Sequence, residues 1–224
     1  SDALEQAAAY LAARRADPVP GLPPFQGGVA GFLGYEFGRR LERLPAPRTD
    51  DLRLPDAWLG AYDWVIAWDH AQGKAWVVAR EAGRRGSGAA AAGQLGSGAA
   101  GRSAEERIRD IAGRLRGSAR VIVAPTVVGD TPTRFQSGFT RDEYLRAVER
   151  VRQYILAGDI FQANLSQRFE APWPGNPFEF YRRLTTVNPA PFAAYFQGSD
   201  FAVASASPER FLCVDPGGRV ETRP

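Results

Sequence analysis

The residues with the clearest potential for chemistry lie near the end of the sequence, in the stretch ASASPERF at positions 204–211. Proline at position 208 keeps Ser207 extended and cannot donate a hydrogen bond to a neighbouring strand. The sequence therefore predicts that Glu209 lies at a strand irregularity, where its side chain can be aimed into a cleft. A carboxylate in such a place can donate and accept protons. The alternative is an ordinary solvated glutamate.

The composition excludes several other chemistries. The sequence of 224 residues has one cysteine, Cys213, and one histidine, His70. It therefore offers no internal disulfide, no Cys/His zinc site and no Cys-His nucleophile pair. A Ser-His-Asp triad would have to use His70, which the surrounding pattern places at the end of a strand. We predict no metal site within this chain.

Charge and hydropathy patterns bear on partners and location. The 28 Lys and Arg residues and 25 Asp and Glu residues are spread along the chain without a basic stripe, which argues against nucleic-acid binding. No apolar run approaches the roughly 20 residues that cross a bilayer, and the N-terminus lacks the layout of a signal peptide. We expect a cytoplasmic protein without a membrane or nucleic-acid partner. The absence of methionine suggests an interior piece of a longer gene product.

Helices with clear end signals must position the residues around Glu209. In TRDEYLRAVERVRQYILAGD, Thr140 and Glu143 form a capping box and Gly158 supplies the C-terminal stop. In NPFEFYRRL, Asn176 is the N-cap and Pro177 occupies the first helical position. The first segment predicts a helix bounded at both ends, and the second predicts where a helix begins.

Strands are predicted between and after these helices. FQANLSQRF alternates apolar and polar residues and predicts a strand with one solvated face, on which Asn164, Gln167 and Arg168 lie. Four further strands are predicted in APFAAYF, FAVASAS, RFLCVD and RVETR. Glycine-containing turns are predicted between them at 198–200 and 216–218. Strands in meanders with grouped helices indicate an α+β fold with antiparallel β-sheets and packed helices.

The first half of the sequence reads as a separate region. SDALEQAAAYLAARRA predicts an amphipathic helix, and DAWLGAYDWVIAWDH and KAWVVARE predict a hairpin with its turn at 71–73. The Gly/Ala-rich stretch at 81–103 cannot bury enough side chain to hold one conformation and predicts a flexible insertion. SAEERIRDIAGRLRG predicts a short helix after it. We divide the chain into an N-terminal region (1–80), this insertion (81–103) and a second region (104–224).

Several motifs together resemble the large subunits of chorismate-using enzymes. These are GDIFQANLSQRF, NPAPFAAYF and SPERF, in that order, with FQGGVAGFLGYEFGRRLERLP and LPDAWLGAYDWVIAWDH upstream. The resemblance implies an anthranilate synthase component I-like fold of which this chain is the truncated front portion. It makes residues 1–80 part of the N-terminal region of that fold and residues 104–224 the start of the chorismate-binding catalytic region. It also implies that missing polypeptide covers the open sheet edges.

Within this family, the sequence resembles the aminodeoxychorismate synthase branch more than the anthranilate synthase branch. The residues that carry this distinction are Asn164, Gly38-Arg39-Arg40 after GYEF, and Phe211 after SPER. The branch implies that chorismate is aminated to 4-amino-4-deoxychorismate with ammonia from a glutamine amidotransferase subunit. The alternative is conversion of chorismate to anthranilate and pyruvate. In relatives the second residue after the one matching Pro224 separates the branches, as lysine in the first and alanine in the second.

The resemblance also implies roles for particular residues. Glu209 matches the position with the acid/base role. Pro191, Phe192 and Ala193 match a segment that lines a tryptophan pocket, although a core strand explains them equally well. Magnesium is implied as the cofactor, with its ligands outside this chain, so we expect the 224 residues alone to be inactive. A third hypothesis is a non-catalytic fragment that binds tryptophan or docks onto a partner.

Overall fold

The computed structural model of the chain describes residues 3–45, 50–80, 103–117 and 134–223. Its helices and antiparallel strands confirm the α+β class. The chain forms two compact units, residues 1–122 and 123–224. The predicted insertion lies outside the described residues, except for Ser103.

The first unit combines helices with two antiparallel pairs of strands. Its elements are α1 (Ala3–Ala12), β1 (Gly28–Leu33), a 3-10 helix (Tyr35–Arg40), β2 (Ala57–Tyr62), β3 (Trp64–Asp69), β4 (Lys74–Ala79) and α2 (Ala104–Gly117). Strand β1 pairs with β2, and β3 pairs with β4. The predicted hairpin turn is confirmed: Gly73 has a φ of +63°, and the Asp69 carboxylate accepts a hydrogen bond from the Gln72 backbone N–H at 2.9 Å.

Asp63 divides the segment that was predicted as one strand into β2 and β3. Its carbonyl oxygen accepts the Arg80 N–H at 2.8 Å, and its carboxylate forms an ion pair with Arg107 of α2. Arg107 and Ile111 are each only 7% exposed. Because a buried guanidinium needs an anionic partner, this ion pair keeps α2 on the first unit. The sequence-based division into regions 1–80, 81–103 and 104–224 stays a prediction.

Strands β1 and β2 approach each other closely at Gly31. A Cβ atom at Gly31 would lie 1.9 Å from the carbonyl oxygen of Trp58. The neighbouring Phe32 is the register partner of Trp58, and the two rings stack with centroids 6.3 Å apart. Only glycine fits at this position without separating the strands.

The second unit contains the segments that carry the candidate site. Its elements are β5 (Gln136–Ser137), α3 (Arg141–Ala157), β6 (Phe169–Glu170), α4 (Pro177–Val187), β7 (Phe192–Gln197), β8 (Ala202–Ser207), β9 (Arg210–Val214) and β10 (Val220–Arg223). Strand β5 pairs with β6, β7 with β8, and β9 with β10, all antiparallel. Helix α4 packs on the β7–β8 hairpin through rings of Phe178, Tyr181 and Tyr195.

The predicted helix ends are confirmed in the second unit. Thr140 and Glu143 form the reciprocal capping box of α3, and Gly158 ends the helix with a φ of +81°. The Asn176 side chain accepts the backbone N–H groups of Phe178 and Glu179 at the start of α4. Each of these signals is a hydrogen bond or backbone angle within one helical turn, so the local sequence encodes it directly.

The strand predicted over FQANLSQRF is wrong for most of its length. Only Phe169 belongs to a strand, β6, which pairs with the two residues of β5. Residues 161–168 have no regular secondary structure, and Phe161 is 90% exposed. Alternation of apolar and polar residues indicates which face of a strand would be buried. A strand also needs a partner strand and a layer that covers its apolar face, and the alternation specifies neither.

Apolar side chains remain widely exposed on the β9–β10 hairpin. Phe211 and Leu212 are successive residues, so they lie on opposite faces of β9, yet they are 80% and 54% exposed. Val214 and Val220 are also exposed. A two-stranded hairpin is marginally stable alone, so this one requires further packing on both faces.

In the described ranges, no helix combines the length and the apolar character needed to cross a membrane.

We predict that Gly31→Ala destabilises the protein by about 1–3 kcal/mol or more, the cost typical of overpacking. The added methyl group would collide with the Trp58 carbonyl oxygen, which belongs to the backbone and cannot rotate away. Gly113→Ala in α2 is the matched control, because a Cβ there meets nothing within 4 Å. That control should stabilise the helix by about 0.5–1 kcal/mol. Urea unfolding of both variants tests this, and equal stability of Gly31→Ala and wild type would contradict it.

Candidate functional site

The register of the β7–β8 hairpin brings two of the predicted site segments together. Phe192 at the start of β7 is the register partner of Ser207 at the end of β8. The turn that sets this register is closed by a hydrogen bond from the Gly198 N–H to the Phe201 carbonyl oxygen at 2.9 Å. As a result, the segment proposed to line a tryptophan pocket lies beside the Ser-Pro-Glu turn.

The Ser-Pro-Glu turn links β8 directly to β9 and is held by the Ser207 hydroxyl. This hydroxyl accepts the Glu209 backbone N–H at 3.3 Å and donates to the Glu209 carbonyl oxygen at 3.1 Å. Both Pro208 and Glu209 are exposed. The predicted strand irregularity is therefore present, and it presents the Glu209 carboxylate to solvent at the edge of the hairpin.

Arg210, the next residue, connects this turn to both neighbouring strands. Its guanidinium carbon lies 5.0 Å from the centroid of the Phe192 ring. Its Nη1 donates to Glu221 Oε1 at 2.9 Å, and its carbonyl oxygen accepts the Thr222 hydroxyl at 3.2 Å. Arg210 was not among the predicted site residues, and in the sequence only its position directly after Ser-Pro-Glu marks it.

The Glu221 carboxylate on β10 lies between two arginines. Arg223 Nε donates to its Oε1 at 2.6 Å, and the same oxygen accepts Arg210 Nη1. The hydrogen bond and positive charge of Arg223, followed by those of Arg210, hold the pKa of Glu221 below its ordinary value. Glu221 is therefore anionic at neutral pH and serves as the counter-ion of this cluster.

The residues predicted to line a tryptophan pocket occupy the entry to β7. Pro191 is exposed, whereas Phe192 and Ala193 are half-buried. The Ala193 N–H donates to the Ala190 carbonyl oxygen at 3.2 Å, which forms a turn before the strand. Because the Arg210 guanidinium already lies over the Phe192 ring, an indole could stack on that face only by displacing it. Tryptophan binding stays a prediction.

The polar residues of FQANLSQRF belong to a different part of the second unit. Gln167 donates to the Ser137 hydroxyl at 2.6 Å, and Arg168 pairs with Glu170 at 2.8 Å. Asn164 is exposed. A shallow depression of about 280 Å³ lies nearby, lined by Arg134, Gln136, Glu170, Ala171 and Pro172. It contains none of the predicted site residues, so we do not assign the chemistry to it.

The acidic side chains in the described part of the chain are too dispersed to form a metal site. Among those residues, no group of three or more His, Cys, Asp or Glu side chains could hold a metal ion. Glu209 is therefore not part of a magnesium cage formed by these residues. The magnesium ligands predicted outside this chain stay a prediction.

Comparison with known proteins gives consistent matches. Residues 1–224 match the family model described as chorismate binding enzyme. The chain is 39% identical over 208 residues to anthranilate synthase component 1 of Thermus thermophilus. It is 36% identical over 211 residues to aminodeoxychorismate synthase component 1 of Salmonella typhimurium. Each alignment covers 92% of this chain but only 40% and 39% of these relatives, so the chain spans about two fifths of their length.

A solved structure gives the same result for the fold. The crystal structure of anthranilate synthase component I from Streptococcus pneumoniae TIGR4 matches with a TM-score of 0.70 and 29% sequence identity. The match covers 97% of this chain and 46% of that chain. The predicted anthranilate synthase component I-like fold, in truncated form, is confirmed.

We predict that Arg223→Ala raises the pKa of Glu221 toward the ordinary glutamate value of about 4.3. Because the pKa of Glu221 is lower in the folded state, the cluster stabilises the hairpin fully at pH values above the ordinary glutamate pKa. This contribution is lost as the pH falls through the lower pKa of the folded state. NMR titration of the Glu221 carboxyl carbon measures the shift. Arg219→Ala is the control, because Arg219 pairs with Asp215. An unchanged Glu221 pKa in Arg223→Ala would contradict the assignment.

Proposed function

Since the chain belongs to the chorismate binding enzyme family, we propose that it is the front portion of an enzyme that aminates chorismate to 4-amino-4-deoxychorismate. The observation that supports a catalytic role most directly is the placement of Glu209. Glu209 is exposed in a turn that the Ser207 hydroxyl braces beside the start of β7, and the resemblance of its Ser-Pro-Glu motif to the family implies the acid/base role.

The amination requires two proton movements that suit a carboxylate. Ammonia forms the new carbon–nitrogen bond, the ring hydroxyl leaves as water, and the added nitrogen loses a proton. In our proposal Glu209 donates the proton with which the ring hydroxyl leaves as water. The lysine expected in the segment after Pro224 would first form a bond to the ring as the hydroxyl leaves as water, and ammonia would then form the carbon–nitrogen bond as the bond to the lysine nitrogen breaks.

The proposal includes a partner and a cofactor. The named relatives are each component 1 of their synthases, and we propose a second component, a glutamine amidotransferase, as the source of ammonia. We propose magnesium as the cofactor, with its ligands outside the residues described here. The reaction would take place in the cytoplasm as part of p-aminobenzoate and folate synthesis.

The comparisons match relatives of both branches, so the assignment to the amination branch depends on features of the sequence. Asn164, Phe211 and the segment Gly38-Arg39-Arg40 favour it. The second candidate is anthranilate synthase component I, which converts chorismate to anthranilate and pyruvate. This alternative is kept because relatives of both kinds match the chain to a similar extent, at 39% and 36% identity.

We predict that the full-length protein, incubated with chorismate, magnesium and ammonium, forms 4-amino-4-deoxychorismate and retains the pyruvyl group. Mass spectrometry of the product measures this directly, and the same result predicts lysine at the second residue after Pro224. Anthranilate with free pyruvate would contradict the proposal and assign the protein to the second candidate. The 224 residues alone are the control and should form no product, because the proposed nucleophile and metal ligands lie outside them.

We predict that Glu209→Gln in the full-length protein lowers kcat by about 10²–10⁴-fold, the range typical for loss of a general acid or base. Glutamine keeps the shape of the side chain but cannot exchange the proton. Asp200→Asn is the matched control, because Asp200 is an exposed carboxylate at the opposite end of the same hairpin. Steady-state kinetics of both variants test the role, and near-normal kcat in Glu209→Gln would reduce Glu209 to a scaffold residue.

A further inference from the structure

We infer that Arg210 is a positioning residue that fixes the direction of Glu209 by clamping the Ser-Pro-Glu turn between β7 and β10. The inference rests on the proposed function, because it takes Glu209 as the proton-transfer group. Arg210 is the residue directly after Glu209, so any anchor on Arg210 limits the movement of the Glu209 backbone. The structure gives it anchors on both neighbouring strands.

The first anchor is the Phe192 ring at the start of β7. A guanidinium within about 6 Å of an aromatic centroid is attracted by the ring face. The separation here is 5.0 Å. Because Phe192 is also the register partner of Ser207, the contact closes a small loop from Ser207 through Arg210 back to the opposite strand.

The second anchor is Glu221 on β10. Arg210 Nη1 donates to its carboxylate at 2.9 Å, and the Thr222 hydroxyl donates to the Arg210 carbonyl oxygen at 3.2 Å. Arg223 also pairs with Glu221 and restrains its carboxylate. The Arg210 guanidinium and the Arg210 backbone carbonyl are therefore both held.

The geometry uses properties that lysine lacks. A planar guanidinium can lie on a ring and donate from its edge at the same time, whereas an ammonium is a compact point charge. The Arg210–Glu221 pair is partly exposed, with side chains 32% and 49% accessible, and exposed ion pairs add little to global stability. We therefore expect loss of this clamp to change catalysis much more than unfolding.

The test uses the full-length enzyme with chorismate, magnesium and ammonium. Arg210→Ala should lower kcat by about 10–100-fold with little change in KM for chorismate, because small misplacements of a catalytic group carry a cost of that order. Its melting temperature should stay close to that of the wild type, and Arg210→Lys should recover only part of kcat. Arg219→Ala is the matched control, because Arg219 pairs with Asp215 in the turn of the same hairpin. That control should leave kcat and KM unchanged.

A double-mutant cycle tests whether Arg210 acts through Phe192. Phe192→Leu should also lower kcat, and the Phe192→Leu/Arg210→Ala protein should lose no more than Arg210→Ala alone, because both changes release the same clamp. Losses that multiply would overturn the inference. A raised KM with unchanged kcat in Arg210→Ala would also overturn it, since Arg210 would then bind substrate.

Parallel measurement of Glu209→Gln separates this inference from the proposed function. If Glu209→Gln keeps near-normal kcat, the acid/base role fails and the positioning role fails with it. If Glu209→Gln is impaired while Arg210→Ala keeps normal kcat, only the positioning role fails. Should Arg210→Ala not fold, Arg210→Lys decides, because normal kcat in that variant overturns the inference and reduced kcat at unchanged KM supports it.

Discussion

The antiparallel register of β7 and β8 is the constraint on which the candidate site depends. Pairing of Phe192 with Ser207 places the entry to one strand beside the exit of the other. A shift by one residue would turn every side chain of a strand to the opposite face. The contact between Phe192 and Arg210 would then be lost, and the Ser-Pro-Glu turn would no longer lie next to the segment that precedes β7.

Different forces hold the two compact units. In the first, a nearly buried guanidinium, Arg107, is paired with Asp63 and fixes α2 to the strands. Breaking such a pair by removing one partner leaves an uncompensated buried charge, which is strongly destabilising. In the second unit, the ion pairs around Glu221 are partly exposed. Such pairs orient the side chains but add little to the free energy of unfolding. The second unit is also held by the hydrogen bonds of its hairpins and by rings packed between α4 and β7.

The exposed apolar surface agrees with the partial coverage of the relatives. Phe211 and Leu212 are exposed on opposite faces of β9, although a strand with apolar residues on both faces is normally an inner strand between two layers. The chain corresponds to 46% of the matching solved structure. The exposed faces and the partial coverage of that structure are both consistent with the proposal that catalysis belongs to a longer protein.

Local sequence signals predict most of the helices correctly. The capping box at Thr140, the glycine stop at Gly158 and the cap at Asn176 were predicted because each is a contact within a few residues. The irregularity at Pro208 was predicted for the same reason. The strand over residues 161–168 was not realised, because alternation does not provide a partner strand. Strand pairings of this kind join residues that are distant in sequence, so local patterns do not specify them.

The sequence by itself determined the family, the α+β class, the helix ends and the candidacy of Glu209. Only the tertiary structure decided that α2 packs with the first unit, and that Arg210 lies between Phe192 and Glu221. The physical reason is the range of the interactions. Caps and turns close hydrogen bonds over three or four residues, whereas ion pairs and ring contacts between separate strands exist only after the register of those strands is set.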